Sequence, residues 1–335
     1  MTWLGNFFDL LSNTAAGYDL LRKTKFNDAM RDLLNSWGTY LSDPNGDSNS
    51  TLTDKDDGWF STASLQALAS DDRGTFNDTY VCPDPDATNR GYDTWDAFFA
   101  REVQSSARPV DFADDNTLIH SACESFVYRI VKMVQDHDSF WLKGQYYSLY
   151  DMLNRDDDYA QKFVGGTVYQ AYLSPLDYHR WHAPVDGTIK KAVVVPGTYY
   201  AVLPDEGAPD DDPDLEPGDR AGAIVRCQSW LTLEATRALI FIEADNADIG
   251  LICFIGIGMW EVSSCEITVS VDDTVQTGDQ LGMFHFGGSS HALVFGPGTD
   301  VTFADTIVAP NHVKVNSVIG QAAAAPSPKR TWHIQ

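Results

Sequence analysis

From Tyr169 onward the sequence reads as strand, turn, strand, and no other feature restricts the fold as much. The segments AYLSPLDYHRWHAPVDGTIKKAVVV, ALIFIEA, IGLICFIGIG, SCEITVSV and TVQTGDQLGMFHF either alternate apolar with polar residues or run apolar throughout. Turns rich in Gly and Asp interrupt them about every eight to twelve residues, a rhythm that argues for a β-rich sandwich or barrel-like domain. The N-terminal part differs in kind. Trp3, Leu4, Phe7, Phe8 and Leu11 share one helical face and a second amphipathic pattern covers residues 26–41, which predicts a helical pair packed on the body. Near Tyr92 the character changes: WDAFFAREV reads as a helix, RPVDFADDNTLIHSACESFVYRIVKMV as a loop and then strands, and KGQYYSLYDMLNR as a short helix. The expected class is α+β, with a helical region over 1–90, a β-rich main domain over 91–320 and a flexible tail over 321–335 that contains AAAAPSPKR.

Charge narrows the partners. Lys and Arg number 23 against 48 Asp and Glu, a net of −25 that repels phosphate backbones and anionic bilayers, so no nucleic acid partner is expected. Without Lys or Arg before Arg22, the first helix lacks the cations that help a helix settle on a membrane, and stable membrane association is not expected. The N-terminus has no basic region ahead of its apolar stretch, which Asn6 and Asp9 interrupt, so it reads as neither a signal peptide nor a spanning helix. Cys82, Cys123, Cys227, Cys253 and Cys265 are odd in number and form no CxxC pair, so neither a disulfide framework nor a zinc knuckle is indicated. A soluble protein in the reducing cytoplasm is expected, where the sequons at Asn49 and Asn77 carry no meaning. In the loop 43–54, Asp43, Asn45, Asp47 and Asp54 fall on calcium-loop positions, but Ser48 stands where the turn needs Gly and Asp54 replaces the bidentate Glu. That segment reads as a solvated loop, as does the acidic, Pro-rich stretch 204–219, and no metal is expected.

Three places could carry chemistry. Asp177-Tyr178-His179-Arg180-Trp181-His182 sets two histidines three apart; they suit acid–base work, a structural role, or metal ligation that lacks a third partner at a telling spacing. Phe286-Gly287-Gly288-Ser289-Ser290-His291 reads either as a hairpin turn or as a strained entry to a serine. It is not a hydrolase elbow, because His291 occupies the place of the second Gly of GxSxG. A serine after such a turn can attack the preceding carbonyl, turn the amide into an ester and, by β-elimination, leave a pyruvoyl group on the new N-terminus. Such a ketone condenses with an amine and draws electrons from its Cα, as pyridoxal phosphate does. The third place, Ser121-Ala122-Cys123-Glu124-Ser125, puts an acid among small residues, and Ser289, His182 and Glu124 together would supply nucleophile, base and orienter.

In combination and order these pieces resemble the phosphatidylserine decarboxylase family of pyruvoyl enzymes, over roughly residues 95–318. Residues 95–109 (WDAFFAREVQSSARP) look like the family's FF-x-RE…RP segment. Residues 172–187 (YLSPLDYHRWHAPVDG) are close to its YL-x-P-x-DYHR-x-H-x-P-V-x-G signature, the most specific piece, and residues 278–290 (GDQLGMFHFGGSS) resemble its cleavage region. The resemblance implies cleavage between Gly288 and Ser289, Ser289 as the precursor of the pyruvoyl cofactor, and no pyridoxal phosphate. It gives His182 the role of base in self-processing and His179 a part in the later decarboxylation. Glu124 and Ser125 depart from the family's Asp and Gly. The chain is most similar to the soluble fungal branch that converts tryptophan to tryptamine, so a free amino acid is the implied small-molecule substrate. Trp181, Met259 and Trp260 would line its aromatic pocket unless they are ordinary core residues. Family members are often dimers, which implies a homodimer. Two alternatives stand beside this reading, phosphatidylserine as substrate and an uncleaved, non-catalytic homologue that binds rather than reacts.

Overall fold

The computed structural model describes residues 3–137, 147–210, 212, 215–260, 264–287 and 289–324. Gly288, residues 143–146 of KGQYYSLYDML, residues 211, 213 and 214 of the acidic stretch and residues 325–335 of the expected tail lie outside the described residues.

Residues 3–41 form three helices where two were expected: α1 (Trp3–Ser12), α2 (Ala15–Leu21) and α3 (Thr24–Leu41). The extra break has a local cause. Thr14 is extended, its Oγ1 accepts from Gly17 N at 3.0 Å, and this cap starts α2 afresh. As expected, α1 docks on the body: Phe8 packs against Tyr200 at 4.5 Å between centroids, and Asp9 Oδ2 accepts from Gly222 N at 2.9 Å.

Among the described residues the strands are β1 (Leu118–His120), β2 (Ser125–Lys132), β3 (Thr167–Leu173), β4 (Arg180–His182), β5 (Gly187–Val195), β6 (Arg237–Ala244), β7 (Leu251–Gly258), β8 (Ser264–Ile267), β9 (Thr274–Val275), β10 (Gln280–His285), β11 (Ser289–Phe295), β12 (Thr299–Phe303), β13 (His312–Val313) and β14 (Val318–Ala324). Eight of them form an antiparallel sheet in the order β13-β2-β3-β11-β7-β6-β5-β9, and two three-stranded sheets run β1-β14-β12 and β4-β10-β8. Side-chain alternation between two cores explains why residues 238–242 of β6, all of β7 and residues 292–295 of β11 run apolar. Leu239, Phe241, Cys253, Ile255, Ala292 and Val294 face a core shared with the helices, including Leu21, Met30 and Leu34. Ala238, Ile240, Ile252, Phe254 and Leu293 face a second core shared with Trp181, Phe284 and Ile319 of the small sheets. The result is a helical layer, a central sheet and a layer of small sheets.

The α+β class and the β-rich sandwich hold, but the sheet order is open and no barrel closes among the described residues. The expectation of a tail from residue 321 is also corrected. β14 continues through Ala324, with Gln321 opposite Leu118 and Thr302 and Ala324 opposite Thr299. Small residues carry little strand signal, and here neighbours on both sides supply the pairing that local sequence does not.

Candidate active site

Ser289 is the first residue of β11 and lies between Leu173 of β3 and Gly258 of β7. Its Oγ is 3.4 Å from Nδ1 of His179, and both side chains are fully buried. The segment after β3 explains how His179 arrives there. Asp177 Oδ2 accepts from Ser174 N at 2.7 Å and closes the turn, while its Oδ1 accepts from Arg73 Nε at 2.6 Å and pairs with His312 Nε2 at 3.0 Å. Arg101 Nη2 donates to the carbonyls of Leu176 and Asp177. The His179 ring then stacks on Phe99 at 4.2 Å. Nε2 faces Pro175 O, which can only accept, so the proton sits on Nε2 and the Nδ1 lone pair faces the serine hydroxyl. Burial holds the imidazole neutral by pushing its pKa down to about 3.

The approach to Ser289 is strained. Phe286 has φ 39° and Gly287 has φ 102°. Glycine takes this region freely, whereas a phenylalanine there costs about 1–2 kcal/mol.

The expected set of Ser289, His182 and Glu124 is not formed. His182 Nδ1 donates to Gly278 O at 2.6 Å and its Nε2 accepts from Tyr178 OH at 2.8 Å, so both ring nitrogens are engaged away from Ser289. Glu124 is fully buried and holds Arg108 through two bonds, Nε to Oε2 at 2.7 Å and Nη2 to Oε1 at 2.6 Å. Here the fork of the guanidinium, rather than an imidazole, meets the carboxylate. Glu124→Gln strands a buried cation, which costs about 3–5 kcal/mol and lowers the unfolding temperature by roughly 5–15 °C. Calorimetry that found an unchanged unfolding temperature would contradict this role.

Two polar arrangements have no forewarning in the sequence. Ser125 Oγ lies 3.1 Å from His291 Nε2, so the serine in the place of the family's Gly anchors a second buried imidazole. That ring stands two residues past Ser289 on the same strand face, and burial pushes its pKa to about 3. On the opposite face Ser290 donates to Ala171 O and accepts from Gln170 Nε2, and Tyr147 OH donates to Gln170 Oε1 at 2.6 Å. Only the strand alternation of SSHALVF could have hinted at these partners.

A cavity of about 440 Å³ opens beside this turn, with Gly287, Phe286, Trp260, Phe99, Trp95, Trp59 and Trp37 in its wall. Of the three pocket residues expected from sequence, Trp260 lines it. Trp181 is instead a core residue, packed on Phe254 and Phe284 at 5.3 and 4.7 Å, and Met259 Sδ is taken by Gln228 Nε2 at 3.2 Å. Trp37, Trp59 and Trp95 come from elements far away in sequence. Another cleft of about 360 Å³, lined by Arg22, Arg31, Arg155 and Arg237 with Asp28, Asp151 and Glu234, includes none of the serine–histidine groups. Among the described residues no three His, Cys, Asp or Glu side chains are grouped to hold a metal, and no helix is long and apolar enough to cross a membrane.

Residues 95–321 match the family model described as phosphatidylserine decarboxylase, and residues 3–68 match a second model described likewise. The chain is 58% identical over 318 residues to decarboxylase iboD of Amanita muscaria, covering 95% of this chain and 90% of that one. It is 38% identical over 325 residues to an L-tryptophan decarboxylase of Psilocybe cubensis, covering 94% and 72%. Similarity to phosphatidylserine decarboxylase proenzyme 3 of Schizosaccharomyces pombe is 28% over 231 residues, covering 68% of this chain and 21% of that one.

Proposed function

The chain belongs to the phosphatidylserine decarboxylase family and is a carboxy-lyase, and we propose that it cuts itself between Gly288 and Ser289 and then decarboxylates a free amino acid with a planar aromatic side chain, L-tryptophan first. The observation that carries the reading is the buried Ser289 hydroxyl facing an unprotonated imidazole nitrogen directly after a left-handed turn that forms part of an aromatic cavity.

Self-processing uses the chain's own groups. Nδ1 of His179 takes the hydroxyl proton of Ser289 as Oγ bonds to the carbonyl carbon of residue 288, and returns it to the Ser289 nitrogen as the amide C–N bond breaks, giving an ester and a free amine. Loss of the Ser289 Cα proton and of the Cβ–Oγ bond then releases residues 1–288 as a carboxylate. Water replaces the remaining nitrogen, which leaves as ammonia, and a ketone caps residues 289–335. The buried start of β11 fits this group: it is held between β3 and β7 by backbone pairing that does not depend on the serine side chain. When formed, the ketone supplies the electron sink for loss of CO2 from an amine-bearing carbon. His182, through Gly278 O and Tyr178, fixes the turn beside the site.

Specificity follows from the cavity. Trp37, Trp59, Trp95, Phe99 and Trp260 offer ring faces and edges to a planar side chain, and the volume lies within the range of small-molecule sites. Phosphatidylserine fits less well, since the net charge of −25 opposes approach to an anionic bilayer. The test is CO2 release from L-tryptophan and from phosphatidylserine vesicles by the processed protein. Release from tryptophan, with KM raised about tenfold or more in Trp59→Ala, is expected. Release from the vesicles alone would overturn the substrate assignment.

A further inference from the structure

We propose that helix α3, through Gly38, is a brace that holds Phe286 in its left-handed conformation and so makes the N-terminal region part of the self-processing machinery. The proposal rests on the self-cleavage reading given above.

The strain sits in a short crossing between two sheets. β10 belongs to a small sheet and β11 to the central one, and only residues 286–288 join them. Both ends of the crossing are pinned. At one end His285 Nδ1 meets the Asp96 carboxylate at 2.9 and 3.0 Å and its Nε2 meets Glu266 Oε2 at 2.8 Å. At the other, Ser289 is paired on both sides. Such a non-glycine φ persists only where the surroundings over-determine it.

Helix α3 supplies that determination. A methyl built on Gly38 would lie 3.3 Å from Cε1 and 3.6 Å from Cζ of Phe286, so the ring rests against the helix at the one position without a side chain. Phe286 is 4% exposed there. Glycine is the poorest helix former after proline, so this position in the last turn of α3 gives up helix stability for room. The same helix places Trp37, Tyr40 and Leu41 in the cavity wall, so one element both braces the turn and shapes the pocket. Gly38 and Phe286 are positioning residues, acting on the bond between residues 288 and 289 through the path of the backbone.

The test follows cutting of the full-length chain after synthesis, by denaturing gel and intact mass, with thermal unfolding recorded in parallel. Gly38→Leu is expected to fold and to cut at least tenfold more slowly than wild type. Adding Phe286→Gly, which removes the ring and takes a positive φ without strain, is expected to restore cutting. A general folding defect would not be relieved in this way. Should leucine prevent folding, Gly38→Ala gives the same readout: slower cutting beside an unchanged or higher unfolding temperature is expected, and a wild-type rate overturns the brace. Equal rates for wild type and Gly38→Leu, or no recovery in the double variant, overturn it as well. A wild-type chain that stays uncut overturns the self-cleavage reading and the brace together.

Discussion

Ser289→Ala leaves one chain of full length that releases no CO2 from any substrate. The hydroxyl is the atom that attacks residue 288, and no neighbour replaces it. Ser290 lies on the other face of the sheet, where its Oγ is bound to Ala171 O and Gln170. The imidazole of His179 would remain, with its lone pair facing a methyl group. Stability should change by less than about 1 kcal/mol, because among the described residues the only side-chain bond lost is the 3.4 Å contact with His179. The variant therefore separates chemistry from folding: an intact, stably folded and inert chain is expected on a denaturing gel and in calorimetry. Cutting at any measurable rate in Ser289→Ala would remove Ser289 from the mechanism.

His179→Ala should have the next largest effect, slowing self-processing by about 10²–10⁴-fold, the usual range for a lost general base. His182→Ala should slow it by less than about tenfold, because His182 acts through the Gly278 turn and Tyr178. The resemblance to the family implies the opposite ranking, so the pair of variants decides between geometry and analogy. The pH profile gives an independent reading. Burial holds the pKa of His179 near 3, so its Nδ1 is available at any higher pH and cutting should be flat from roughly pH 8 to pH 5. A base at the ordinary value of 6.5 would lose about tenfold per unit below it. The sign for stability is the reverse of a salt-bridged histidine. The unfolded chain binds this proton from pH 6.5 downward while the folded chain does not, so stability falls as the pH drops from 6.5 toward 3. Rates are therefore compared only where thermal unfolding shows the chain folded.

The local chemistry was legible in the sequence because it is written in contiguous segments. DYHRWH and GGSS put the histidines and the serine on the page, and the turns that follow from Asp177 and Gly287 are local in origin. The apolar runs IGLICFIGIG and ALIFIEA pointed to buried strands, and they became the centre of the large sheet. Which histidine meets the serine was not legible. Both lie in one hexapeptide, and the choice depends on Phe99 stacking on His179 and on Gly278 taking His182, contacts made across about 80 and 96 residues. Glu124 misled for a similar reason. An acid immediately before a strand suits either an imidazole or a guanidinium, and Arg108 is identified as its partner only once the chain has folded back. The cavity wall was the least visible part, because Trp37, Trp59 and Trp95 look like ordinary apolar positions until three separate elements converge on Gly287. The strand through Ala324 was hidden by its alanines, whose pairing comes from β1 and β12.

The central claim is that the chain makes its own prosthetic group, and the mass of the purified wild-type protein under denaturing conditions tests it most directly. Two species are predicted, residues 1–288 ending in a carboxylate and residues 289–335 about 17 Da lighter than a serine-initiated fragment, the difference being one ammonia. A single species with the mass of residues 1–335 would contradict the claim.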